Sequence, residues 1–190
     1  CRAMVDGLGS RKLLRSRIWK RMAKAGVRTA VALPLGNPLL SPLQGRMDLR
    51  NHRKIVVIDG HTGFLGSMNM IKREYKTKDR AWIDYMVEMT GPVVTSLASV
   101  FAVDWYLESE EQLSLDMQPY DDAMTADPNH LQLVPSGPGY TTEPNLRMFN
   151  SVVHHAKEKL ILCSPYFIPD ESLLEAVTTA RYRFQEEDTN

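Results

Sequence analysis

The stretch from His52 to Asn69, HRKIVVIDGHTGFLGSMN, constrains this chain more than any other. His52, Lys54, Val56 and Ile58 alternate with Arg53, Ile55, Val57 and Asp59 in a run rich in β-branched residues. Such a run predicts a strand, with Asp59-Gly60-His61-Thr62-Gly63 as the turn signal and Phe64 to Asn69 as the returning strand. The two-residue period of a strand sets His52 and Lys54 side by side on one face. The segment also fixes six residue types at fixed offsets, H-x-K-x4-D-x6-G-S-x-N. A chance match to that pattern in a chain of this length is about one in a million, so the polar residues of the hairpin call for a chemical reading.

That reading is phosphodiester chemistry. A neutral imidazole is a competent nucleophile near neutral pH. A phosphodiester is anionic and its charge grows on attack, so a fixed ammonium from Lys54 and hydrogen bonds from Ser67 and Asn69 would offset it. Asp59 falls beyond the strand end, where a carboxylate can orient a neighbour or pin the turn. The full pattern occurs once.

Charge is laid out unevenly. Residues 1–80 hold 18 Lys and Arg against 5 Asp and Glu, and residues 81–190 hold 5 against 18, so a net charge of zero hides a balance of +13 and −13. The basic portion suits an anionic partner, lipid headgroup or nucleic acid, unless the two portions neutralise one another. Nothing approaches 18 consecutive apolar residues, so no membrane-spanning helix is read, and Cys1 with Arg2 and Asp6 does not read as a secretory leader. Two cysteines, Cys1 and Cys163, make no disulfide framework and fit a reducing compartment. No metal site is expected: His154 and His155 are adjacent on a predicted helix, and no C-x-x-C or H-x3-H spacing occurs. Gly7-x-Gly9 lacks the Lys-Ser/Thr of a phosphate loop, and Met68, Met70, Met86 and Met89 read as core filling.

Along the chain, residues 2–5 predict a strand ending in the Gly7–Gly9 turn. A helix follows from an N-cap at Ser10 to Gly26, with Leu14, Ile18 and Met22 in one row and basic residues over most of the rest. It reads as a crossover helix with a solvated basic face in preference to a membrane-surface helix, and Trp19 suits either. Val27–Leu33 is the next strand and Pro34–Arg46 a loop beside the site. Lys72–Arg80 is a basic loop with Tyr75, Trp82–Met89 a strand, and residues 93–107 a helix with Val94, Leu97, Ala98, Phe101 and Trp105 on one side. Residues 108–130 read as an acidic linker. From Leu131 a second unit begins, with a helix over 143–158, a strand Lys159–Ser164 and a helix from Asp170 to about Ala180. Arg181–Asn190 is polar.

The string Arg50-Asn51-His52-Arg53-Lys54-Ile55-Val56-Val57-Ile58-Asp59-Gly60 resembles the first motif of the bacterial cardiolipin synthases, in the phospholipase D superfamily. Asp6–Ser10, Trp82 with Asp84, Gly91-Pro92-Val93-Val94, Asp104-Trp105, Pro135–Pro138 and Ser164–Glu171 resemble further segments of that family, and the likeness covers about 180 of the 190 residues. Ile83 stands where the family pattern leads one to expect arginine.

The resemblance implies an α/β fold, a phospholipase D-like mixed sheet flanked by helices, with a first half-domain (1–107, motif at 52–69), the linker 108–130 and the start of a second half-domain (131–190). It implies phosphatidyl transfer between two phosphatidylglycerol molecules through a phosphohistidine on His52, with Lys54 and Asp59 catalytic, Ser67 and Asn69 binding substrate, and neither metal nor cofactor. The implied partners are anionic phospholipid, a membrane surface and a second motif, supplied by further C-terminal sequence or by another chain; nucleic acid is not expected. The implied location is the bacterial cytoplasmic membrane, with the catalytic part soluble. On this reading the 190 residues look like a fragment, inactive alone. Two competitors remain, a single-motif homodimeric nuclease and a non-enzymatic module bound to anionic membranes.

Overall fold

The computed structural model describes residues 1–34, 50–71, 83–115, 131–137, 140, 142–164 and 166–187. The expected loop Pro34–Arg46 beyond its first residue, the basic loop Lys72–Arg80, Trp82 and residues 116–130 of the expected linker lie outside the described residues. The chain divides into two compact units, Cys1–Leu133 and Val134–Asn190.

The first unit opens with β1 (Arg2–Asp6), α1 (Arg11–Leu14), α2 (Arg17–Lys24) and β2 (Arg28–Ala32). β1 and β2 pair in parallel, Arg2 with Arg28 through Asp6 with Ala32, so the helices form the crossover that parallel strands require. The single helix expected from Ser10 is two. Ser16 Oγ accepts from the backbone N–H of Ile18 at 3.2 Å and of Trp19 at 3.4 Å, which starts a new helix, whereas Ser10 makes no side-chain cap. Gly26, at φ +85°, ends the second helix in a conformation that glycine adopts without a Cβ penalty.

The hairpin follows as β3 (Ile55–Ile58) and β4 (Thr62–Gly66), with β5 (Met86–Thr90) added to β4. Both pairings are antiparallel, Ile55 with Leu65 and Leu65 with Val87. The turn has Asp59 at φ +52° and Gly60 at φ +71°, and the His61 N–H donates to the Ile58 carbonyl at 3.1 Å. Positive φ at both central residues matches the right-handed twist of the strands. At the other end of β4, a Cβ on Gly66 would stand 2.1 Å from the Tyr85 carbonyl oxygen, so only glycine allows β4 to approach the chain ahead of β5.

Helix α3 (Pro92–Ser109) starts on Pro92 and buries Val94, Leu97, Val100, Asp104 and Trp105. Met89, Val94 and Leu97 form one core, against which Ile55, Val57 and Leu65 pack. α3 also lies against β2, so one helix joins the two sheets. Among the described residues the strands form a parallel pair and an antiparallel triplet, within the α/β architecture expected from the sequence. At the β1, β2 and α3 corner, Glu111 accepts from Arg2 at 2.9 Å, from Trp105 Nε1 at 3.0 Å and from Arg28, and the Arg2 guanidinium lies over the Trp105 ring. The Arg2 and Trp105 hydrogen bonds, with the charge of Arg28, hold the Glu111 carboxyl below its ordinary range. Of the methionines read as core, Met89 is buried, but Met68 and Met70 are exposed, because the chain leaves the sheet after Gly66.

The second unit packs α4 (Pro144–His155) against α5 (Glu171–Glu187) around Val153, Ala176 and Ala180. Arg183 donates to the carbonyl of Val153 at 3.0 Å and to that of His154, satisfying groups that the end of α4 leaves open. The strand expected at Lys159–Ser164 is absent; these residues are irregular, with Ile161 exposed, and no described segment offers them a ladder. α5 runs through Arg181, where the sequence suggested only a polar ending.

Gly66→Ala should lower stability by about 3 kcal/mol in urea unfolding, from the clash with Tyr85 and Met86. Gly9→Ala, at an exposed turn where the nearest neighbour is an Asp6 oxygen at 3.4 Å, should stay within about 0.5 kcal/mol of the parent.

Candidate active site

The five residues ahead of and into β3 are held by three polar side chains. Arg50 donates through Nε to Asp6 Oδ2 at 3.0 Å and through Nη2 to the Leu33 carbonyl at 2.8 Å. Asn51 Nδ2 donates to Asp104 Oδ2 at 2.9 Å, and Arg53 Nη1 sits 2.8 Å from both oxygens of the same carboxylate. Asp6 in turn accepts from the backbone N–H of Leu8 at 2.9 Å and of Gly9 at 2.6 Å through its other oxygen. The start of the strand is thus tied to the end of β1, the end of β2 and the middle of α3.

Parity follows from this clamp. Asn51, Arg53, Ile55 and Val57 turn toward α3, two by hydrogen bonds and two by core packing. His52 and Lys54, at the intervening positions, fall on the other face, His52 exposed and Lys54 half-buried. The regular ladder starts only at Ile55, three residues later than the alternation suggested, because residues 50–53 bond to side chains and loops instead. A small cavity of about 70 Å³ lies between β1 and α3, lined by Asp6, Asn51, Arg53 and Asp104, and neither His52 nor Lys54 borders it.

His52 and Lys54 precede the Ile55–Leu65 pair, and Ser67 and Asn69 follow it, so all four gather at the open end of the hairpin. Lys54 Nζ donates to the backbone carbonyl of His52. The side chains of His52 and Asn69 make no hydrogen bond among the described residues, so both are available to a ligand. Ser67 is engaged. Its N–H donates to the Tyr85 carbonyl at 2.9 Å, its hydroxyl accepts from the Tyr85 N–H at 2.9 Å, and its hydroxyl proton goes to Asp84 Oδ1 at 2.8 Å. Asp59 lies apart, exposed in the turn at the closed end, one strand length from His52. No group of three or more metal-ligating side chains occurs among the described residues.

Two carboxylates matter here that sequence reasoning did not assign. Asp104 had a legible signal, since it falls on the apolar stripe of α3 three residues after Phe101, where a charge needs a cation. Asp84 was marked only by the family resemblance of Trp82 with Asp84, which gave it no role.

Comparison with known proteins bears on this geometry. No protein-family model matches the chain, and no solved structure matches it. Cardiolipin synthase A of Wigglesworthia glossinidia brevipalpis is 37% identical over 96% of this chain, that of Proteus mirabilis 38% over 96%, and that of Yersinia pseudotuberculosis 35% over 96%. The chain is thus a homologue of lipid synthases. Over the stretch it shares with them it is homologous to these bacterial cardiolipin synthases. It spans 38% of the length of these curated relatives.

Asp104→Ala would leave the Arg53 guanidinium beside an empty, buried place and should cost about 3–5 kcal/mol in denaturant unfolding. A pH effect follows from Asp6. Burial raises its carboxyl, but the Gly9 N–H, the Arg50 guanidinium and the Leu8 N–H outweigh burial and hold it below the usual value. Its contribution is present above the unfolded carboxylate value of about 3.9 and is lost as pH falls through the lower folded value. The stability gap between the parent and Asp6→Asn should therefore narrow between about pH 4 and pH 2.

Proposed function

We propose that this chain carries one histidine half of a phospholipase D-type site for phosphatidyl transfer, in the synthesis of cardiolipin from phosphatidylglycerol. The observation that carries the reading is the similarity to cardiolipin synthase A across 96% of the chain, including the hairpin with His52 and Lys54 on its outward face. On this reading residues 1–107 are the first half-domain and 131–190 the opening of a second.

In the proposed reaction a ring nitrogen of His52 attacks the phosphorus of phosphatidylglycerol. The phosphorus–glycerol oxygen bond breaks, a second histidine protonates the departing alkoxide, and phosphatidyl-histidine remains. That second histidine then takes the proton of a glycerol hydroxyl on another phosphatidylglycerol. The freed oxygen attacks phosphorus, cardiolipin leaves and His52 is regenerated. General acid–base assistance of this kind is worth about 10²–10⁴-fold, so one histidine alone gives little turnover. The second comes from a segment outside these 190 residues or from another copy of the chain.

Lys54 swings from the His52 carbonyl to a non-bridging phosphate oxygen, and Asn69 donates to another. Ser67 reaches the phosphate only by turning its proton away from Asp84; otherwise it anchors the strand that carries Asn69. Asp59, at the far end of the hairpin, serves the turn. Among the described residues no helix is long and apolar enough to cross a membrane. The similarity to lipid synthases favours this reading over a nuclease.

The gene carrying this sequence, expressed in bacteria lacking other cardiolipin synthases, should give cardiolipin detectable by mass spectrometry. His52→Ala should reduce the product on the order of 10³-fold or more, while Asp59→Asn should retain most of it. Cardiolipin undiminished by His52→Ala would sink the proposal. The 190-residue chain alone, given phosphatidylglycerol vesicles, should form none if the second histidine lies outside it, and product from the chain alone would assign that histidine to a second copy.

A further inference from the structure

The β1–β2 crossover carries charge in a pattern that helix stability does not explain. From Arg11 to Lys24 there are seven basic residues and no acidic one. Arg17, Lys20, Arg21 and Lys24 fall within an arc of about 100° on α2, at spacings of three and four. All four are exposed, and none has a carboxylate partner among the described residues. Like charges at these spacings repel, and Arg17 in the first turn opposes the helix dipole, whereas Arg21 and Lys24 in the last turn are favoured by it. The mutual repulsion of the four cations is what an anionic partner would offset.

The apolar residues say which partner. Ile18, about 60° around the helix from the edge of the basic arc, is 58% exposed, so α2 shows an apolar border next to its cations, while Trp19 lies on the opposite, inward side. Arg11 on α1 and Arg15 just after it are also exposed. A short helix with a cationic strip and a protruding Ile at its border suits the headgroup boundary of an anionic bilayer, where cations meet phosphates and the apolar side chain enters the acyl region. Duplex nucleic acid would satisfy the cations and leave Ile18 in water.

We propose that the outer face of α1–α2 docks this unit on anionic membrane surfaces, at a place separate from the catalytic hairpin. The crossover role and the docking role are compatible, because the basic arc stays outside the packing of α2 on β2. Docking draws strength from the lipid reading of the site but does not require turnover, so its failure is distinguishable from failure of the catalytic proposal.

The test is co-sedimentation of the whole chain with phosphatidylcholine vesicles that contain or lack phosphatidylglycerol. Binding should need phosphatidylglycerol and weaken with salt. The exposed triple variant Lys20→Gln, Arg21→Gln, Lys24→Gln, checked for unchanged circular dichroism, should lower the partition coefficient roughly a hundredfold, at about fivefold per cation. A control triple variant in the second unit, Lys157→Gln, Lys159→Gln, Arg181→Gln, removes the same net charge and should change it less than about threefold. Three results would overturn the proposal: no preference for phosphatidylglycerol, equal loss from both triple variants, or tighter binding to a DNA duplex than to vesicles that disappears in the α2 variant.

Discussion

The carboxylate of Asp104 is the point on which the first unit turns. It is 8% exposed, inside an apolar helix face, and it receives both Asn51 and Arg53. A buried charge of this kind is tolerated only with partners and good geometry, so the helix fixes two residues of the strand start by demand for neutralisation. With Asn51 and Arg53 both drawn to Asp104, His52 is left exposed and Lys54 half-buried, ahead of the regular strand. The outward display of His52 and Lys54 is a consequence of what their neighbours bury.

The clamp also accounts for what could and could not be read from the chain. The hairpin was legible, since β-branched alternation and Asp-Gly are local signals. Its first residue was not, because Arg50 to Arg53 spend their hydrogen bonds on Asp6, Leu33 and Asp104, partners 17 to 53 positions away. The crossover helix was legible as an amphipathic pattern, while its break was hidden in the choice of Ser16 over Ser10 as cap. The apolar run at Lys159–Ser164 misled for the opposite reason. A strand needs a neighbour as well as a pattern, and no described residue pairs with this one. At the site, grouping His52, Lys54, Ser67 and Asn69 needed only the hairpin, but the engagement of Ser67 with Asp84 and Tyr85 depends on a third strand.

The chemistry proposed for the hairpin and the docking proposed for α2 share one arrangement. Both use the face of an element turned away from the core, and in both the inward face is occupied by packing or a satisfied charge. Recognition groups on such a frame are held at their base and loose at their tip. Lys54 illustrates this, with its strand position fixed and its ammonium resting on a backbone carbonyl that it can exchange for a ligand.

The alternation around His52 carries a consequence for how this region can vary. Adding or deleting one residue between Asn51 and Ile55 would exchange the two faces. The imidazole would be driven against the buried carboxylate, and a guanidinium would take its place in solvent. Substitutions here damage either the fold or the chemistry, depending on parity. A one-residue change in length damages both together, so the stretch can drift in side chains but not in length.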